Sequence, residues 1–220
     1  PLEVFFCPSL FLGKNELPLL SKCKEHGARI TECSQHVFEK IAYRDRPEGL
    51  LAVAPQVRFT LSDIHLPPSP LIVVAESIEK PGNLGTILRS ADAAGAHAVI
   101  VCDRCTDINN PNVVRASIGT IFSVPVAEAS SEEAISWLRK NNIHIFSASP
   151  HAQKIYTEED YTQGTAIVVG AEQFGLSQTW LSEDIRKIRI PMLGQADSLN
   201  VASAATILLY EVMRQRDFKK

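Results

Sequence analysis

The sequence predicts an α/β protein built on a parallel sheet. Beyond residue 70, short apolar runs recur at Leu71–Ala75, Ala98–Val101, Val124–Val126, Ile143–Phe146, Thr165–Val169 and Ile188–Ile190. Helical patterns at Leu84–Ala94, Glu132–Asn141 and Leu199–Arg216 alternate with them. The runs are continuously apolar, as strands buried between two helical layers are. The chain has 220 residues, 45% hydrophobic and 21% charged. That is enough for one large domain or a medium domain with a small partner, and it excludes a disordered or fibrous chain.

The elements before residue 60 are shorter. Glu3–Cys7 reads as a strand, and Asn15 caps a helix that runs to His26 and stops at Gly27. Ala28–Glu32 is extended, Ser34 caps a helix through Tyr43, and Leu50–Ala54 is a third strand. This β-α-β-α-β stretch is small for an independent domain, and the chain opens on Pro1 rather than methionine, so its natural start is expected upstream. Thr60–Pro70 holds three prolines and no periodicity, which makes it the expected linker between domains 1–59 and 71–220.

Charge and cysteine usage narrow the function. Twenty-two Lys and Arg stand against 25 Asp and Glu, a net charge of −3, so a uniformly basic nucleic-acid binder is excluded while a local basic face is not. The longest apolar runs fall far short of the ~20 residues a membrane span needs. Five scattered cysteines predict a reducing, cytoplasmic setting rather than a disulfide framework. Cys102 and Cys105 form a lone C-x-x-C without a second pair, the histidines are dispersed, and no metal is expected. No G-x-G-x-x-G, G-x-x-x-x-G-K-[ST] or G-x-S-x-G is present, which removes dinucleotide-dependent oxidoreductases, P-loop enzymes and serine hydrolases.

Three segments remain. The first, Lys80–Arg89, follows the strand Leu71–Ala75, with Asn83 as the helix cap and Arg89 nearly two turns on. Ligands of open α/β sheets bind at such carboxyl edges, but alone the segment reads equally as a capped helix with a solvated arginine. The second runs from Ile167 through Gly170, Glu172 and Gly175. Its glycines permit close backbone approach, though alone it reads better as a tight turn with a surface carboxylate. The third is strongest: Ile190-Pro191-Met192-Leu193-Gly194, then Ser198-Leu199-Asn200-Val201 opening a long helix. Small polar residues beside alanines at a helix start are costly in a plain core, and here they present amide and hydroxyl groups to a ligand.

Together these segments resemble the SpoU (TrmH-like) branch of the SPOUT RNA methyltransferases. N-x-G-x-x-x-R corresponds to Asn83, Gly85 and Arg89, and G-x-E-x-x-G to Gly170, Glu172 and Gly175. I-P-M-x-G, S-L-N-V and L-Y-E-x-x-R-Q-R correspond to Ile190–Arg216, with Ala202 where many members carry serine. The resemblance implies a deep trefoil knot at the carboxyl end of the parallel sheet. It further implies a partial L30e-like RNA-binding domain before the linker, and a homodimer.

The implied reaction is methyl transfer from S-adenosylmethionine to a ribose 2′-hydroxyl of ribosomal or transfer RNA. Residues carried over for the cofactor are Val169, Gly170, Gly175, Ile190, Pro191, Met192, Ser198, Leu199 and Asn200. Arg89, Asn83, Glu172, Ser198 and Asn200 are the catalytic set. In it Arg89 acts electrostatically on hydroxyl and phosphate, Glu172 pairs with Arg89, and Asn83 with Ser198 or Asn200 fixes Arg89 and the ribose. Arg115 corresponds to a family position suited to an RNA phosphate. The dimer is expected through the final helix, on Ala202, Ala204, Ala205, Leu208 and Leu209, and through the helix after the first motif. The alternative is a non-catalytic RNA-binding module that kept the fold, and it is opposed by the completeness of the catalytic set.

Overall fold

The computed structural model of the chain describes residues 1–218, which fall into two compact units, 1–56 and a second from Val57 onward. In the first, β1 (Glu3–Phe6), α1 (Glu16–Glu25), β2 (Arg29–Glu32), α2 (Gln35–Ile41) and β3 (Leu50–Val53) follow one another. Central β1 pairs parallel with β2 and antiparallel with β3. Gly49 enters β3 at φ +79°, where a Cβ would lie 2.8 Å from the Cys7 carbonyl oxygen, so only glycine fits that turn.

The second unit contains β4 (Leu71–Glu76), α3 (Pro81–Ala93), β5 (Ala98–Cys102), α4 (Pro111–Ala116), β6 (Val126–Ala129) and α5 (Ser131–Lys140). It continues through β7 (His144–Ala148), β8 (Lys154–Ile155), β9 (Thr165–Val169), β10 (Arg186–Arg189) and α6 (Val201–Gln215). The seven strands form a wholly parallel sheet in the order β6-β5-β4-β9-β7-β10-β8. Side-chain alternation divides its core in two. Val73, Val99 and Ile167 face one way against Leu84, Ile87 and Leu88 of α3 and Ala205, Leu208 and Leu209 of α6. Ile72, Val74, Ile100 and Val168 face the other way against Ala134 and Leu138 of α5 and the buried Trp180. The α/β class and both covered faces are as the sequence predicts.

Several boundaries differ from the expected ones, two of them because of a proline. The helix after β4 begins at Pro81, three residues before the expected start, because proline suits a first helical position whose N–H is spare. Asn83 is therefore inside the first turn and is not the cap. Pro125 has no N–H to give the ladder, so β6 starts at Val126. Residues 60–70 do not run free as a linker: Phe59 bridges Ala127, Leu61–Asp63 forms a 3-10 turn, and Ile64 is buried in the core of the second unit. Short α4 and the two-residue β8 are absent from the sequence prediction.

The end of α6 explains the L-Y-E-x-x-R-Q-R stretch in structural terms. Glu211 accepts a forked pair of hydrogen bonds from Arg214, both 2.8 Å, which hold its carboxyl below the usual range against the opposing effect of burial. Gln215 accepts from the Tyr161 N–H at 2.9 Å. Arg216 donates to the Tyr161 and Ser69 carbonyl oxygens, both at 2.9 Å. These bonds fasten the helix to the amino-terminal edge of β4 and β9, opposite the edge where the motifs gather. Ala202, Ala205, Leu208 and Leu209 are buried in the chain's own core, so they cannot form the dimer face assigned to them. Ser203, Ile207, Tyr210 and Arg214 form the exposed stripe of α6.

Candidate active site

All three motifs leave the sheet at its carboxyl edge, where the strand order changes direction between β4 and β9. Asn83 follows β4, Gly170 follows β9, and Ile190 follows β10. The exits of β7, β9 and β10 enclose a cleft of about 340 Å³. That volume lies within the ~300–1,000 Å³ of small-molecule sites. Val169, Gly170, Gly175, Ile190, Met192, Ser198 and Leu199 line it, together with Glu172. Pro191 and Asn200 do not.

Gly170 makes the narrow wall possible. A Cβ there would lie 2.5 Å from the Gly175 carbonyl oxygen and 2.7 Å from the Leu176 nitrogen, backbone atoms that cannot yield. Gly175 turns the loop at φ +68°. Gly85 of the first motif answers to something else. Its Cβ would meet the Ala116 Cβ at 2.5 Å and the Val113 oxygen at 2.7 Å, so it lets α3 and α4 cross closely and touches no cleft.

A chain of amides joins the motifs. Asn200 caps α6, its Oδ1 accepting from the N–H groups of Ala202 at 3.0 Å and Ser203 at 3.4 Å. Its Nδ2 is thereby turned outward and donates to Asn83 Oδ1 at 3.1 Å. Asn83 Nδ2 in turn donates to Glu172 Oε1. One helix N-terminus thus fixes both amide orientations and the carboxylate beyond them. Glu172 Oε2 is buried and has no hydrogen-bond partner among the described residues. A carboxylate oxygen in that state is set to receive a donor from a bound molecule.

The expected pairing of Glu172 with Arg89 is not formed: Oε1 accepts from Asn83, and Oε2 is left without Arg89 or any other described partner. Arg89 lies six residues beyond Asn83, about 240° around α3, exposed and outside the cleft. It has no hydrogen-bond or ion-pair partner among the described residues, and Asn83 and Asn200 fix each other rather than Arg89. Arg115 is exposed on the last turn of α4. Cys102 is buried, which raises its thiol, whereas Cys105 is exposed. Among the described residues no group of His, Cys, Asp and Glu is placed to hold a metal.

Sequence reasoning missed the β7 side of the cleft, Ser149, Pro150 and His151. The strand end at Phe146 and the following Ser-Pro gave the available signal, since this is another carboxyl exit of the same sheet. Replacing Asn200 by alanine removes the α6 cap and the acceptor that orients Asn83. The expected cost is about 1–2 kcal/mol, lowering the melting temperature by ~2–8 °C in a thermal unfolding scan.

Comparison with known proteins agrees with this layout. The profile of the SpoU rRNA Methylase family matches residues 70–210. The chain is 36% identical over 178 residues to the 23S rRNA (uridine(2479)-2'-O)-methyltransferase of Streptomyces viridochromogenes, covering 78% of this chain and 62% of that protein. It is 28% identical over 193 residues to the Bacillus subtilis 23S rRNA (guanosine(2553)-2'-O)-methyltransferase RlmP, covering 86% and 74%. The chain thus spans somewhat less than two thirds of the first relative's length.

Among solved structures, the S-adenosylmethionine-bound rRNA methyltransferase of Sinorhizobium meliloti superposes with a TM-score of 0.86 at 32% identity, covering 96% of this chain and 79% of that one. The S. viridochromogenes methyltransferase AviRb in complex with the same cofactor gives 0.87 at 30%, covering 99% and 84%. The motifs that leave one sheet edge together, the glycine-walled cleft and a profile match across most of the second unit have one common reading: the chain belongs to the SpoU rRNA methylase family.

Proposed function

We propose that the chain transfers a methyl group from S-adenosylmethionine to a ribose 2′-hydroxyl of RNA, with ribosomal RNA as the favoured substrate class. The observation that carries this reading is the Glu172–Asn83–Asn200 chain beside a glycine-walled cleft. The residues present fit the cofactor. The cleft has a suitable volume, Gly170 leaves backbone exposed at its wall, and the orphaned Glu172 oxygen awaits a cationic or N–H donor. Backbone and side chains of Gly170, Ile190, Met192 and Leu199 would hold it. When bound, it supplies an activated sulfonium methyl for in-line displacement.

The protein's part is positioning and charge. Glu172 orients what enters the cleft, and the two amides keep Glu172 in place. Arg89 polarises the ribose hydroxyl and holds the neighbouring phosphate; a guanidinium is too weak an acid to serve as a base, so the hydroxyl proton is released to water. Arg115 contacts a phosphate further along the RNA. The three-stranded unit 1–56 supports the reading of a partial L30e-like RNA-binding domain. Insertion of β9 between β4 and β7, and of β10 between β7 and β8, supports the reading of a carboxyl-terminal trefoil knot.

Arg89 stands outside the cleft of its own chain, and this supports a homodimer in which exposed faces of α3 and α6 meet those of a second copy. Ser90 and Thr206, whose hydroxyls lie 2.7 Å apart, already pack these helices together. Ile207 and Tyr210 are the apolar residues such a face offers. Light scattering at micromolar concentration should report about twice 24.2 kDa, and Tyr210→Glu should halve that mass. No described helix is long and apolar enough to cross a membrane. The ribosomal RNA substrates named for the relatives are the ground on which we assign the activity to the cytoplasm.

Calorimetry should show S-adenosylmethionine binding at micromolar strength, about −8 kcal/mol. The absence of binding heat would favour the idle RNA-binding module. Mapping of 2′-O-methylated positions in total RNA, with and without the gene, identifies the substrate.

A further inference from the structure

We propose that Glu76, outside the motifs, is a positioning residue for the cleft, which it serves by tethering the loop that forms one cleft wall. The proposal rests on the reading of that cleft as the S-adenosylmethionine site. Glu76 ends β4 and continues the face of Ile72 and Val74, the side of the sheet that carries Trp180. It is only 2% exposed, and a carboxylate so buried is costly unless its oxygens are engaged. One of them is engaged firmly: Oε2 accepts from the Ser177 N–H at 2.8 Å, across 101 residues of sequence, while Oε1 lies 3.3 Å from the Ser131 hydroxyl oxygen.

Ser131 is the hub of the cluster. Its oxygen accepts from the Trp180 indole N–H at 2.7 Å and lies 2.5 Å from Asp103 Oδ2. A serine has one proton to give, and the nearer acceptor, Asp103, takes it. The firm bond of Glu76 is therefore the one to Ser177. The segment after Gly175 is held at two points, by Glu76 at Ser177 and by Ser131 at Trp180. Leu176 and Leu181, adjacent to those points, line the cleft.

None of Glu76, Asp103, Ser131, Ser177 or Trp180 lines the cleft. Their effect on a ligand must pass through the loop. Between Gly170 and Arg186 the only regular element among the described residues is the 3-10 turn Gln178–Leu181, so no strand or α-helix ladder holds this wall. The buried side-chain bonds set its position together with the core packing of Leu176, Trp180 and Ile185.

The test compares Glu76→Ala with Glu76→Gln. In the glutamine variant the carboxamide oxygen still accepts the Ser177 N–H, and its NH2 donates to the free lone pair of Ser131. Position is kept and charge is lost. Hydrogen exchange of peptides covering 171–181 should quicken in Glu76→Ala, and calorimetry should read S-adenosylmethionine affinity weakened about tenfold. Turnover at saturating cofactor should stay within about threefold of wild type, and Glu76→Gln should bind within the same factor.

Equal affinity and exchange in Glu76→Ala and wild type would overturn the proposal. So would a Glu76→Gln variant as weak as the alanine one, because charge rather than position would then be what the site uses. If Glu76→Ala does not fold, Ser131→Ala decides by the same two readouts. A wild-type chain that binds no cofactor overturns the reading of the cleft, whereas unchanged exchange at 171–181 overturns the tether itself.

Discussion

Arg89→Ala is expected to lower single-turnover methylation by ~10²–10³, the loss that follows removal of one well-placed donor of charge in a transition state. The structure makes this substitution clean. Arg89 is exposed and has no partner among the described residues, so truncating it breaks no internal bond. Stability should change by no more than about 0.5 kcal/mol, and S-adenosylmethionine affinity should be unchanged, since Arg89 does not line the cleft. Lysine should rescue little, because a point charge does not reproduce a planar fork. A variant within about fivefold of wild type, roughly 1 kcal/mol of barrier, would leave Arg89 a bystander.

Asn83→Ala has a different expected profile, and here the structure changes what the sequence suggests. As a helix cap, Asn83 would cost about 1 kcal/mol when lost. As the link between Asn200 and Glu172, its removal leaves both carboxylate oxygens of Glu172 without a partner among the described residues. Cofactor binding should weaken along with turnover, and calorimetry on Asn83→Ala distinguishes the two roles.

What was legible followed from rules that are local or periodic. Continuous apolar runs separated by helical patterns gave the strands and the parallel sheet, because a strand buried on both faces has no polar side to show. Thr165–Val169 appears in the structure with the same ends as in the sequence. Pro125 moved a strand start and Pro81 a helix start, both by withholding an N–H. What was not legible depends on partners distant in sequence. Residues 60–70 look like a linker by composition, and only the contacts of Phe59 with Ala127 and of Ile64 with the core show otherwise. The alanine face of α6 looks free until the sheet it covers is in view. Glu172 is separated from Asn83 by 89 residues, and no spacing rule assigns it to an amide rather than to Arg89.

Two of the motif glycines, Gly85 and Gly170, cannot be told apart by sequence, and their alanine variants should separate them. In Gly85→Ala the new methyl overlaps the Ala116 Cβ and the Val113 carbonyl. The helices must part, at about 1–3 kcal/mol, with up to ~1 kcal/mol returned by the better helix former. The expected outcome is a melting temperature lowered by a few degrees with cofactor affinity close to wild type. In Gly170→Ala the clash is with the Gly175 carbonyl and the Leu176 nitrogen, on the wall of the cleft itself. Neither atom can rotate away, since both belong to a loop backbone whose turn at Gly175 already requires a positive φ. The wall must move into the space the cofactor would fill or away from its contacts, and either displacement removes the match between them. Calorimetry on folded Gly170→Ala should show affinity reduced at least ~100-fold, nearly 3 kcal/mol. A folded Gly170→Ala chain that binds S-adenosylmethionine as wild type does would show that this wall is not where the cofactor lies.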